Sequence, residues 1–368
     1  MGRSIITHQL SPISYHPSII IYPPSIINYP LSIMKKTYYL FNPGRMSRKN
    51  NTLKFVAVDE YGKEAPPKYL PIEGIENLYV FGSIDANSAL YNFLGKKKVS
   101  VHFFDYYEHY SGSFQPKEYL LAGKMQVEQT KAYLSTKRRL YIAQSIIEGA
   151  AYNMAYNLKY YNRRGKDLSS FISDIANLKA STKEVQSVSE LMGLEGNIRQ
   201  VYYAAFEKII EHFEMNGRHR NPPSNEVNAL ISFGNMMCYT SCLDMIYHTQ
   251  LNPTISFLHE PGVRRYSLAL DLAELFKPVI VDRVIFKVLN RRMLKEEHFE
   301  KHTGGCFLNE KGKKVFIQAF EEKIKETVKH KNLNKKVSYK HLIKLECYKL
   351  AKYLLKIEQE YAAFKIWW

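Results

Sequence analysis

From Lys35 to about Phe114 the chain carries short aromatic and β-branched runs broken by turn signals, as in TLKFVAVDEYGKEAPP and LYVFGSID, and this pattern predicts short strands. The stretch LGKKKVSVHFFDYYEHYSGSF adds one more strongly apolar strand leading to a Ser/Gly break, a natural domain boundary. After Pro116 the period changes to that of helices. It is seen in KRRLYIAQSIIEGAAYNMAYNLKYY, through Ile198, Val201, Tyr202, Ala205, Phe206 and Ile209, in VNALISFGNMMCYTSCLDMIYH, and from Lys340 to Gln359. The expected architecture is α+β and multidomain: a small β-strand domain over residues 34–115, then a larger all-α domain over residues 116–368.

Ahead of both lies a segment with a different texture. Residues 11–33 repeat every seven positions (SPISYHP, SIIIYPP, SIINYPL), and Pro17, Pro23, Pro24 and Pro30 interrupt helix and strand alike. With no basic leader before an unbroken apolar core, this is neither a secretory signal nor an anchor. Residues 1–33 are expected to be a disordered lead-in or not native to the protein.

Lys and Arg outnumber Asp and Glu by 52 to 35, a formal charge of +17. An excess of that size points to a polyanionic partner, nucleic acid or an acidic membrane face. No stretch reaches the ~20 uninterrupted apolar residues of a spanning helix, and the basic residues are scattered through folded segments, so nucleic acid fits better. Cys238, Cys242, Cys306 and Cys347 do not complete a zinc pattern and read as reduced core thiols. His298 and His302 sit in the charged run KEEHFEKH and read as a solvated helix face. There is no Walker A loop, dinucleotide fingerprint or nucleophile elbow.

The chemistry concentrates in NPTISFLHEPGVRRYSLALDLAELFKP, residues 252–278. His259 ends an apolar run; Ser267 is a plausible N-cap; Leu268, Leu272 and Leu275 then recur at helical spacing. Asp271 and Glu274, three apart, bring their carboxylates together at the edge of the apolar stripe. Acids so spaced are ordinarily the solvated edge of a helix, and a histidine before a turn is ordinarily a satisfied core residue. Upstream, Glu195 falls three residues before Ile198 and extends an apolar face, where a carboxylate needs a cation, a proton or a donor. Arg199 is its ordinary partner, but an exposed pair of that kind stabilises by under about 1 kcal/mol and hardly explains the placement. Glu195, His259 and Glu274 together suggest a metal. Arg264 and Arg265, on the loop between His259 and the acidic helix, are placed to pair with phosphates; Lys277 and Arg283 are weaker candidates that also suit helix-end caps. Tyr202 and Tyr203 are not expected to face the core together.

These residues resemble a known family. Glu195-Gly196 with Tyr202-Tyr203, then Phe257-Leu258-His259-Glu260-Pro261, then Ser267 to Glu274, with Val281-Asp282-Arg283 and the terminal Phe364-Lys365-Ile366-Trp367-Trp368, are similar to the CRISPR-associated Cas1 endonucleases, the integrases of spacer acquisition, with a flavour of the type I-B branch. The likeness begins with Tyr38-Tyr39-Leu40-Phe41-Asn42-Pro43-Gly44 and spans residues 34–368, so Met34 is expected to be the native start. It implies that the helical domain is catalytic and that Glu195, His259 and Glu274 hold Mg²⁺ or Mn²⁺. Asp271 is then an accessory acid expected to matter less. The implied reaction is attack of a 3′ hydroxyl on a phosphodiester of the CRISPR repeat, by a cytoplasmic prokaryotic protein that binds double-stranded DNA, forms a homodimer and works with a Cas2 dimer. The alternatives are a metal-dependent nuclease on branched or single-stranded DNA without integration, and a non-catalytic DNA-binding scaffold.

Overall fold

A computed structural model describes residues 35–368 apart from positions 60, 106, 117–121, 220–221, 263–265, 303–304 and 332. The lead-in and its expected start at Met34 lie outside the described residues.

The first part builds two small sheets around one helix. Strands β1 (Lys36–Leu40), β2 (Gly44–Lys49), β3 (Thr52–Ala57), β4 (Lys68–Pro71), β5 (Ile75–Val80) and β6 (Ile84–Asp85) precede helix α1 (Ser88–Lys96), followed by β7 (Ser100–Phe104) and β8 (Tyr110–Phe114). One sheet has the order β1-β5-β7-β8, with only β8 antiparallel; the other has the order β4-β3-β2-β6. The helix, capped by Asn87 accepting from the Leu90 amide at 3.0 Å, is an addition to the expected strands. The Ser/Gly stretch read as a break is itself strand β8, because Ser113 pairs with His102 and Gly112 with Phe103.

Strand β5 is central and buried on both faces, so its alternate side chains serve two cores. Leu78 and Val80 enter a cluster with Met46, Leu53, Phe93 and Val101 inside the strand-rich part, whereas Tyr79 joins the larger helical core. A polar seam ties the two together: Asn77 donates to Asp244 at 3.0 Å, and Lys340 meets Glu76 at 2.8 Å and Asp244 at 3.2 Å. Gly82 is required where the chain leaving β5 packs against the chain leaving β1, since a Cβ there would lie 2.6 Å from the Phe41 carbonyl oxygen.

Helices α2 (Gly123–Leu134), α3 (Thr136–Asn162), α4 (Ser169–Ser181), α5 (Val188–Ala204), α6 (Phe206–Ile209), α7 (Glu226–Tyr247), α8 (Ser267–Lys277), α9 (Arg283–Asn290), α10 (Glu310–Lys325) and α11 (Tyr339–Leu354) make the second part. The part is not all-α. Hairpins β9 (Phe299–His302) with β10 (Gly305–Leu308) and β11 (Thr327–Lys329) with β12 (Lys336–Ser338) interrupt it. His298 therefore ends a short 3₁₀ turn and His302 ends a strand, where a solvated helix was expected; pairing with the apolar Gly305–Leu308 segment overrides the charged run's helical spacing. All four cysteines are buried and reduced, as expected.

Helix α7 is apolar all round and occupies the centre of the bundle. Helix α8 packs on α7 and α3, its Leu268, Leu272 and Leu275 fully buried as their spacing predicts. Behind it the C-terminal segment is clamped: Phe364 stacks on Phe276 with centroids 4.9 Å apart, and Asn153 donates to the Leu275 and Phe364 carbonyls while accepting from the Ile366 amide. Gly149 allows this approach, because a Cβ would fall 2.7 Å from Leu275 Cδ2. These contacts fix the C-terminal turn of α8 in place.

Candidate active site

Helix α8 starts one residue off the expected cap: Tyr266 is the N-cap, and Ser267, the first helical residue, donates its hydroxyl to the Thr254 carbonyl at 2.9 Å. That bond and Gln129, whose amide reaches the Asn252 and Ile255 carbonyls at 2.9 and 2.8 Å, fold the 252–259 segment back over the helix. Arg139 holds its far end, donating to the Phe257 carbonyl at 3.0 Å and pairing with Glu260 at 2.6 Å.

Asp271 organises the turn. It is fully buried, and its Oδ2 accepts from the amides of Phe257 and Leu258 at 2.7 and 3.0 Å. Its Oδ1 accepts from the His259 amide at 3.0 Å and from His259 Nδ1 at 2.8 Å. A carboxylate with only acceptors to offer sets the proton on Nδ1, so a neutral ring presents Nε2 as its lone pair. Asp271 and Glu274 do not share a partner, contrary to the expectation from their spacing; the turn claims one and helix α5 the other.

Glu195, Arg199 and Tyr203 lie along one face of α5, one turn apart. Arg199 pairs with Glu195 on its own helix and with Glu274 on α8, and its Nη1 lies 3.3 Å from the Tyr203 hydroxyl. It is 8% exposed, so this is no surface ion pair, and the ordinary partner of Glu195 turns out to bridge two carboxylates. Lys277 contacts the other oxygen of Glu274 at 2.8 Å; burial and then the neighbouring Arg199 charge push its ammonium down to about 8. Tyr202 and Tyr203 are both buried, against expectation, because α5 is covered on two sides: Tyr202 bonds Asp282 and Asn157 in the core, and Tyr203 lines the cavity. Asp282 is pushed up to about 7 by burial despite the Tyr202 hydroxyl and the nearby cations.

Glu195, Arg199, His259, Glu274 and Lys277 line one cavity of about 520 Å³ between α5, α7, α8 and β8. The three acid and imidazole side chains chosen from sequence are brought to the same wall. They are not drawn into a ready-made metal cage: among the described residues no group of three His, Cys, Asp or Glu side chains is gathered to hold an ion, and Arg199 stands between the two glutamates. Arg264 and Arg265 lie outside the described residues. Arg283 is away from the cavity, bonded to Asn157 at 2.8 Å and lying over the Tyr156 ring. Arg199 and Lys277, given little weight from sequence, and Arg218, not singled out at all, bring positive charge to the cavity; the signal for Arg199 was its place between Glu195 and Tyr203 at successive turns.

The chain matches the family model described as CRISPR associated protein Cas1 over residues 38–322. It is 43% identical over 336 residues to a CRISPR-associated endonuclease Cas1 of Fusobacterium nucleatum subsp. nucleatum, covering 91% of this chain and 98% of that protein. Among solved structures, a Cas1 protein from Thermotoga maritima aligns with a TM-score of 0.76 at 38% identity, over 90% of this chain and 100% of that one. A casposase bound to integration product shares the fold at 21% identity, with a TM-score of 0.80 over 90% of this chain and 94% of the casposase. The family match over most of the chain and the 43% identity across nearly the whole of a relative make this chain a member of the CRISPR-associated Cas1 family.

Proposed function

We propose that the chain is a metal-dependent DNA endonuclease and integrase of CRISPR adaptation, joining the 3′ hydroxyl of a short DNA fragment to a phosphodiester of the repeat array. The observation that supports this reading is that Glu195, His259 and Glu274 line one cavity, with Asp271 holding the imidazole by Nδ1. Two hard carboxylates and one imidazole suit Mg²⁺ or Mn²⁺ and leave coordination positions for phosphate oxygens. The fit is one of donor chemistry: the buried Glu274 and the half-buried Glu195 beside it demand a cation between them, and Arg199 fills that demand in this structure. When bound, the ion polarises the phosphodiester and stabilises charge on the attacking and leaving oxygens.

The remaining work falls to the chain itself. Glu195, Glu274 and His259 would hold the ion; Asp271 fixes the orientation of the ring through Nδ1. Lys277 and Arg199 place positive charge where phosphate enters. Arg264 and Arg265, tethered between His259 and α8, would steady the target strand. One P–O bond forms as another breaks, so no nucleotide cofactor is needed. The +17 charge and the family suit double-stranded DNA, and by resemblance a homodimer working with Cas2. Among the described residues no helix is long and apolar enough to cross a membrane.

Strand transfer into a repeat-bearing plasmid, with the purified protein and its Cas2 partner, tests the reading. Alanine at Glu195, His259 or Glu274 is expected to abolish joining while leaving the fold in place, and a chelator is expected to stop it until Mn²⁺ or Mg²⁺ is restored. Release of nicked DNA with no joined product would favour the nuclease alternative, in which water takes the place of the hydroxyl. The closed network of Arg199 with Glu195 and Glu274 is what favours a non-catalytic scaffold, and DNA binding with neither joining nor nicking at any metal concentration would support it.

A further inference from the structure

Both carboxylates assigned to the metal already hold cations, and those cations belong to the chain. Arg199 takes one oxygen of Glu195 and one of Glu274, while Lys277 takes the second Glu274 oxygen. Two negative charges thus meet two positive ones in a pocket where the Arg199 side chain is 10% exposed and that of Glu274 is 5% exposed. A divalent ion added to this balanced set would leave an excess of positive charge with little water to screen it. It would also compete for lone pairs the guanidinium already uses. Arginine suits this post because its planar fork can serve two carboxylates at once.

The surroundings give the guanidinium somewhere to go. Arg199 lines the site cavity and also a second one of about 570 Å³ behind it, formed by Gly196, Gln200, Glu207, Met215 and Arg218 with Tyr203. The Tyr203 hydroxyl is already within reach at 3.3 Å. Asp282, 2% exposed, accepts from the Tyr202 hydroxyl at Oδ2, and its Oδ1 has no hydrogen-bond partner among the described residues.

We propose that Arg199 is an internal counter-cation occupying the metal's place between Glu195 and Glu274, and that the site loads its divalent ion by exchange with this guanidinium, which withdraws along the wall shared by the two cavities. The proposal rests on the reading of Glu195, His259 and Glu274 as ligands. It explains how the buried Glu274 and the half-buried Glu195 are tolerated side by side in the metal-free chain. It also makes metal affinity lower than the donor set alone would give, since every loading event must first break two ion pairs.

Mn²⁺ titration of the full chain, followed by electron paramagnetic resonance of the unbound ion and by thermal shift, tests the exchange. Arg199→Gln is expected to bind Mn²⁺ at least about tenfold more tightly than wild type, to melt lower without metal, and to gain more in melting temperature from Mn²⁺. Arg199→Lys, which keeps the charge but cannot fork across both carboxylates, is expected to tighten binding by a smaller factor, and it decides the matter if the glutamine variant does not fold. Glu195→Gln is expected to lose binding. Affinity in both Arg199 variants equal to or weaker than wild type, with binding still lost in Glu195→Gln, would sink the exchange while sparing the metal site. Mn²⁺ binding that is absent, or indifferent to Glu195→Gln, would overturn the ligand assignment and the exchange with it.

Discussion

Replacing Asp271 by asparagine alters almost nothing in volume, yet it is expected to be among the most damaging single changes near the site. The four bonds to its carboxylate come from the amides of Phe257, Leu258 and His259 and from His259 Nδ1. An amide keeps one oxygen, so two of the four are lost, and the NH₂ group that takes the other oxygen's place aims its hydrogens at existing donors. Hydrogen bonds to a charged acceptor contribute about 1.5–3 kcal/mol each, which puts the loss at roughly 3–6 kcal/mol before the turn relaxes. The side chain is fully buried, so water is not at hand to replace the missing partner. At roughly 2–4 °C per kcal/mol, the thermal midpoint falls by about 6 °C or more. Nitrogen chemical shifts of His259 give an independent readout: wild type keeps the proton on Nδ1, and the variant shares it between the two nitrogens. The accessory acid is thus expected to act through the stability of the turn and the orientation of His259. A midpoint within about 1 °C of wild type, with unchanged His259 shifts, would refute the argument.

Burial holds the His102 imidazole down at about 4, below the 6.5 of an exposed histidine, so the unfolded chain binds the extra proton between these values and the stability present at neutral pH is lost as pH falls from 6.5 towards 4, by about 3 kcal/mol in total. Urea midpoints at pH 7 and 4.5 check this: His102→Gln is expected to lose less on acidification than wild type, and equal losses would count against it. DNA affinity is expected to fall steeply with salt, because a +17 chain releases counterions from the backbone, and neutralising Arg264 and Arg265 together is expected to flatten the slope; a flat titration of the wild type would remove the nucleic-acid assignment. Gly149→Val is expected to destabilise by about 1–3 kcal/mol through overpacking against Leu275 and the Phe364 carbonyl, read by denaturant melts, and a neutral result would mean α3 and α8 have slack between them.

What was legible in the sequence was whatever depends on local periodicity. Helices α3, α7 and α8 follow their apolar spacing to within a residue or two, and α11 stops five residues before the periodic pattern's limit at Gln359, at Leu354. The strand-rich and helix-rich parts separate where the texture of the chain changes. What was not legible depends on partners distant in the chain. The run KEEHFEKH has helical spacing but is drawn into a hairpin by Gly305–Leu308. Tyr202 and Tyr203 look like one core residue and one surface residue until α5 is seen to be covered on two faces. Glu195, His259 and Glu274 could be singled out because two acids and an imidazole on apolar runs demand an explanation; that Arg199 answers for both acids could not be read, since nothing in the spacing of α5 says which face of α8 it meets.

The two acids of α8 show how one helix divides structure from chemistry. Asp271 is surrounded by N–H donors fixed in place by the backbone, and such donors cannot leave, so its charge is permanently satisfied and it can only position what it touches. Glu274, one turn on, has no backbone donor among the described residues; its partners there are the ends of two long side chains, Arg199 and Lys277. Side-chain cations can be exchanged for another cation without unfolding anything, and a backbone amide cannot. The carboxylate with movable partners is therefore the one able to bind and release an ion during a reaction, and its neighbour, for the same reason inverted, is the one able to hold His259 still while that happens.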